Sequence, residues 1–229
     1  SAIIHEENYN PFQNYHYSHI KEYLLSGFFY LTVTLGILGA FLITPDRSVY
    51  KKGLKRCLKL KVPRLRSGED PSLNIKWLFT LCFIIFVNYI LYALIFKISF
   101  LTGFLHLLIL MSYPLSFGFL YQFFQLSQFQ HKRLIFGTIL LIFWIVLPIY
   151  SNIIKFKAKA SLLYLLFTAP SPFFGGIIAM IQSITKVPHT DLKELISYTV
   201  ISVVITLFSL GLVYYSRNQL KNKVLKEGI

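Results

Sequence analysis

Pro45 to Lys76 reads PDRSVYKKGLKRCLKLKVPRLRSGEDPSLNIK, a cationic segment held between two runs too apolar to remain in water. Ten of the chain's 23 Lys and Arg residues fall in it: Arg47, Lys51, Lys52, Lys55, Arg56, Lys59, Lys61, Arg64, Arg66 and Lys76. Its acids are Asp46, Glu69 and Asp70. Short loops rich in Lys and Arg stay on the cytoplasmic side of a membrane, so this loop orients everything joined to it. Thr44-Pro45-Asp46 predicts a helix start, with Thr44 as N-cap, Pro45 at the first helical position and Asp46 favoured by the dipole. In that helix Tyr50, Leu54 and Leu58 share one face beside Cys57, while Lys51, Lys52, Lys55, Arg56 and Lys59 cover the remainder. A basic amphipathic helix of this kind suits a membrane surface or a cytoplasmic partner. It fades at Pro63, and Gly68 to Ser72 turn into the next apolar run.

The chain has 229 residues, of which 55% are hydrophobic and 17% aromatic, more than a soluble domain of this length carries. The apolar residues come in blocks near the roughly 20 residues needed to cross a bilayer. The expected fold is all-α: a single polytopic membrane domain over 1–229 with five transmembrane helices and a re-entrant helical pair. Residues 1–20 form an external segment and 45–74 the basic loop. The spans are expected at 23–44, 75–96, 100–124, 134–154 and 195–215. Gly27, Gly36 and Gly39 in the first span predict close helix approach. Lys97-Ile98-Ser99 predicts a tight hairpin between the second and third spans.

The stretch 161–184 is apolar but broken by Pro170-Ser171-Pro172 and Gly175-Gly176, which interrupt a helix. Broken backbone at membrane depth is tolerated where protein covers it, so a re-entrant pair is expected there, entering and leaving from outside. The charges then divide consistently. The basic loop, Lys132, Arg133 and the tail residues Arg217, Lys221, Lys223 and Lys226 lie in the cytoplasm. Lys21, Lys97, Lys155, Lys157, Lys159, Lys186 and Lys193 lie outside. The N-terminus is thus expected outside and the C-terminus in the cytoplasm. The net charge of +14 resides in membrane-flanking segments, so anionic lipid headgroups and topology control account for it without nucleic acid.

No catalytic constellation, cofactor motif or metal motif stands out. There is no GxxxxGK[ST] phosphate loop, no HExxH, no GxSxG and no carboxylate inside a span, which weighs against an ATPase, common hydrolases and an ion-coupled transporter. Cys57 and Cys82 have neither an extracellular disulfide setting nor zinc spacing. His106 is the one possible intramembrane ligand, and a structural hydrogen bond is its expected role. His5, His16 and His19 with Glu6 and Glu7 lack a ligand spacing strong enough to define a metal site. Asn88 and Gln122 are polar residues within spans, candidates for a substrate path or for interhelical hydrogen bonds. Aromatic clusters at Phe28-Phe29-Tyr30, Phe123-Phe124 and Tyr214-Tyr215 fit interfacial belts.

The ordered set Thr44-Pro45-Asp46-Arg47, Ser67-Gly68-Glu69-Asp70-Pro71-Ser72, Ser112-Tyr113 and Ser171-Pro172 resembles the permease subunit of ABC-2-type exporters, of cyanobacterial type. The resemblance covers the family's second to sixth spans. The family's first span and its preceding amphipathic helix have no counterpart here, and Ser1 stands where an initiator Met would. A complete permease, a split half and a piece of a longer protein all fit. The resemblance implies an ATP-driven exporter in which a separate ABC-type ATPase subunit, carrying ATP and Mg, docks on the 45–76 segment. It also implies a second permease, as a homo- or heterodimer, completing the pathway. Candidate coupling residues are Pro45, Asp46, Arg47, Arg64, Arg66, Gly68, Glu69 and Asp70, and the re-entrant segment would carry Pro170, Ser171, Pro172, Gly175 and Gly176. A bacterial inner membrane or an organelle equivalent is the expected location. The competing expectation is a non-catalytic structural subunit of a large respiratory or photosynthetic membrane complex. An enzyme acting on lipid lacks paired carboxylates or a nucleophile here.

Overall fold

The computed structural model describes residues 11–61, 65–146, 149–150, 180 and 190–227. Every regular element among them is helical: α1 (Pro11–Ile43), α2 (Arg47–Leu60), a 3-10 turn (Ser67–Glu69), α3 (Ser72–Ile95), α4 (Phe100–Leu126), α5 (Lys132–Leu141) continuing into a π-helical turn (Ile142–Val146), and α6 (Thr190–Lys226). Four stretches are long and apolar enough to cross a membrane: Glu22–Ile43 within α1, α3, α4 and Leu195–Lys226 within α6. The protein is therefore a multi-pass integral membrane protein. Of the expected span 134–154, α5 and the π turn cover the first part. The expected re-entrant residues 170–176 lie outside the described residues.

α4 is the central helix, with 67% of its most apolar window buried against 28% in each of the other three spans. α1, α3 and α6 surround it and turn Leu, Ile and Phe side chains outward, as a lipid-facing surface requires. The α4–α6 seam is parallel and regular. The Thr206 hydroxyl donates across to the Ser112 carbonyl at 2.9 Å. One heptad further along, Phe119 packs with Val213, and one heptad beyond that Leu126 packs with Leu220. This seven-residue register is that of a left-handed helix pair. On α6 the small residues Ser202, Ser209 and Ser216 repeat at the same interval and are all buried.

Glycines set the approach of α1. A methyl group on Gly36 would come within 2.6 Å of Cβ of Pro114, the proline inside α4, and one on Gly39 would overlap the Trp77 indole of α3. Gly27 has open space around it, so of the three α1 glycines it alone is not required for contact. Lys97 and His131, both in the left-handed region at φ 51° and 55°, make the α3–α4 and α4–α5 reversals.

The described segments sort to two ends. Tyr50, Leu126 and Leu220 cluster where α2, the end of α4 and the α6 tail meet. At the other end Leu25, Tyr89, Leu105, Leu195 and Tyr198 share one cluster with the start of α6. α5 therefore departs from the cationic end, and α6 enters from the opposite one.

Candidate functional site

The cationic end is an assembly of three elements around α2. The expected Thr44 N-cap is corrected: α1 runs to Ile43, Thr44 continues its hydrogen bonding to Ala40, and α2 starts at Arg47 with Asp46 as N-cap. Pro45 lies buried in the corner, where its fixed φ serves the turn rather than a first helical position. The Asp46 side chain makes no cap hydrogen bond and sits instead 3.4 Å from the Lys132 ammonium. Arg47 donates to the Leu126 carbonyl at 3.3 Å, tying the start of α2 to the end of α4. Lys51 and Lys55 hold Glu227, at 2.8 and 3.0 Å, and so tie α2 to the α6 tail. These two ammonium groups lower the Glu227 carboxyl to about 2.

The second half of the loop folds back on the first. Arg56 pairs with Glu69 at 2.6 Å, and Glu69 also accepts the Arg66 backbone N–H. Gly53 makes room for this: a methyl there would meet Glu69 Cβ at 2.9 Å. Gly68 is exposed. Asp70 caps α3 by accepting the Ser72 N–H at 2.8 Å and its hydroxyl at 2.6 Å. Arg64 lies outside the described residues. The coupling candidates thus form two groups: Pro45–Arg47 against α4 and α5, and Arg66–Asp70 against the middle of α2. The apolar face of α2 is spent largely on its own chain, because Tyr50 packs on Leu126 and Leu220. Lys52 and Lys59 remain exposed.

The two span amides occupy different settings. Gln122 is fully buried, donates to the Pro71 carbonyl at 2.8 Å and accepts from Asn74 at 3.3 Å, pinning α3's start to α4. Asn88 is exposed and donates to its own helix at the Ile84 carbonyl. His106 is fully buried and hydrogen-bonded to the Tyr89 hydroxyl at 2.8 Å. His5, Glu6 and Glu7 lie outside the described residues.

Between α4, the π turn and α6 lies a cavity of about 580 Å³, within the size range of small-molecule sites. Phe117, Ile139, Phe143, Ile205 and Phe208 give it apolar walls. Its serines are turned inward to their own helices: Ser116 donates to the Tyr113 carbonyl, Ser202 to Thr199 and Ser209 to Ile205. The cavity thus suits an apolar guest, and its described lining residues offer no charge to an ion. On its α6 wall Ser202 and Ser209 belong to a repeat continued by Ser216, a seven-residue pattern readable in the sequence. The π turn leaves no sequence mark, though such turns concentrate at functional sites.

Comparison with family models, curated proteins and solved structures finds no match.

Proposed function

We propose that this chain is the membrane-spanning permease half of an ATP-driven exporter, whose cationic end receives a separate ATPase subunit in the cytoplasm. The supporting observation is mechanical. α2 is tied to α4 through Arg47 and to α6 through Lys51, Lys55 and Tyr50, and α4 and α6 are two walls of the apolar cavity. A partner pressing on α2 would therefore move the cavity walls with it. Shifting such an equilibrium decisively takes a difference of a few kcal/mol between the partner's states. The apolar cavity favours lipids, lipid-linked glycans or other hydrophobic cargo.

In this reading the cationic end faces the cytoplasm. The basic loop, the α4–α5 turn with Lys132, and the tail all gather there, as the positive-inside rule requires. The N-terminus is then outside, the C-terminus is inside, and the expected span 134–154, which α5 begins, makes five crossings. Charge reversal at the exposed Lys52 and Lys59 should abolish co-elution with the ATPase subunit while leaving membrane insertion intact. Undiminished co-elution would remove α2 as the docking face. A second reading, a packing subunit of a larger respiratory or photosynthetic complex, is favoured by the broad outward apolar faces of α1 and α3.

A further inference from the structure

The cationic end carries a pocket beside the ties that join α2 to α4 and α6. It lies where the start of α2, the α4–α5 turn and the α6 tail converge, as two adjoining hollows of about 330 and 610 Å³. Arg47, Ser127, Gln128, Phe129 and Lys223 line both. Lys51 and Lys132 add two more cations to the larger one, against Asp46 as the single acid among its described lining residues. The four cations are not equally engaged. Lys51 holds Glu227, and Lys132 holds Asp46 and the Gln125 carbonyl. Arg47 has one carbonyl hydrogen bond and no carboxylate partner among the described residues, and Lys223 has no partner there at all.

Burial without a counter-charge already costs Arg47 some of its basicity, since desolvation lowers its pKa. The first turn of α2 opens beside the same hollow, and its N-cap Asp46 makes no side-chain cap hydrogen bond there, so the positive end of the helix dipole adds to the cations. The smaller hollow has an apolar side, made by Phe123, Leu126, Phe129, Tyr215 and Leu220. Phe129 and Tyr215 are themselves more than half exposed, Phe129 just past the end of α4 and Tyr215 on α6. Cations beside aromatic rings match a ligand that is anionic at one end and greasy at the other.

We propose that this pocket binds the phosphate of an anionic membrane phospholipid. Arg47 and Lys223 hold the phosphate oxygens, and the glycerol and upper acyl chain lie along Phe129 and Tyr215. Basic pockets between spans near a membrane face take anionic headgroups in this way. The site does not depend on the exporter reading, and it would staple α2, α4 and α6 together in any role.

The test is native mass spectrometry of the intact purified protein titrated in detergent with phosphatidylglycerol, and with phosphatidylcholine as the zwitterionic control. One saturable phosphatidylglycerol is expected. Lys223→Gln, at an exposed position, should weaken it about fivefold, and Arg47→Gln with Lys223→Gln about thirtyfold, on the scale of one surface cation each. Lys59→Gln with Lys61→Gln removes the same charge outside the pocket and should leave binding unchanged. Equal losses in both pairs would reduce the effect to net charge and overturn the site. Equal retention of phosphatidylcholine would overturn it as well. Displacement of the lipid by equimolar glycerol 3-phosphate would make the ligand a soluble phosphate and overturn the lipid assignment.

Discussion

Gln122→Leu separates an anchoring residue from a pathway residue. Gln122 is fully buried, and its amide joins the Pro71 carbonyl to the Asn74 side chain at 2.8 and 3.3 Å. Leucine would fill the volume but remove both bonds. Asn74, itself fully buried, would keep only a 3.4 Å contact from its amide to the Gly118 carbonyl, and its own side-chain oxygen is already unpaired. Interhelical hydrogen bonds in membranes average about 0.6 kcal/mol and reach about 1.7. A stranded buried polar group costs about 1–3 kcal/mol. Two lost bonds plus one stranded amide place the substitution at about 2 kcal/mol.

The matching change Asn88→Leu alters an exposed residue that bonds only its own helix, and should stay within about 0.5 kcal/mol. SDS-titrated unfolding followed by tryptophan fluorescence gives these differences directly. The double variant Asn74→Leu with Gln122→Leu should fall short of the summed singles by about 1 kcal/mol, since the two share a bond. A Gln122→Leu cost no larger than that of Asn88→Leu, or strictly additive singles, would refute the network.

Gly39→Ala should destabilise by about 1–3 kcal/mol through overlap with Trp77, whereas Gly27→Ala, in open space, should be neutral or gain up to about 1 kcal/mol in helix propensity; the same unfolding assay compares them. The Glu227 contacts with Lys51 and Lys55 make the tail pH-sensitive in acid. The folded carboxyl titrates at about 2, below its usual value near 4.3, so the latch is complete above that value and is lost as pH falls toward 2. Spin labels at positions 52 and 226 should hold a constant distance from pH 7 to about pH 5 and separate below it, and Glu227→Gln should show the separation at neutral pH. Cys57, half-buried in α2, should react with an impermeant maleimide only from the cytoplasmic side, while Cys82, buried in α3, stays unlabelled from either. Labelling of Cys57 from outside would invert the orientation.

Much of the architecture was legible because apolar length and charge placement are local properties. The expected spans 75–96 and 100–124 match α3 and α4 to within three residues at each end. α6 outruns its expected end at 215 because the tail is hydrophilic yet holds no Gly or Pro before Gly228, so the helix continues to Lys226 past the apolar stretch. Thr44 misled because capping preferences describe an isolated helix start. Here the chain turns directly out of α1, and Thr44 remains bonded to Ala40.

The parallel α4–α6 seam was not foreseen, since it joins residues 94 apart. Its trace, a serine at every seventh position of α6, is readable in the sequence, but the helix those serines face is not. Of the candidate site, the basic loop was apparent from charge alone. That it folds on itself through Arg56 and Glu69, and clamps the tail through Glu227, depends on tertiary placement that no local pattern encodes.

The central claim is that this membrane domain works under an ATPase docked at its cationic end. Purification of the native complex in mild detergent, with mass spectrometry of every co-purifying chain, tests it most directly. The account predicts a stoichiometric subunit bearing a phosphate-binding loop of the GxxxxGK[ST] form. Redox or pigment-carrying subunits without any ATPase would contradict it and make the chain a packing subunit of such a complex.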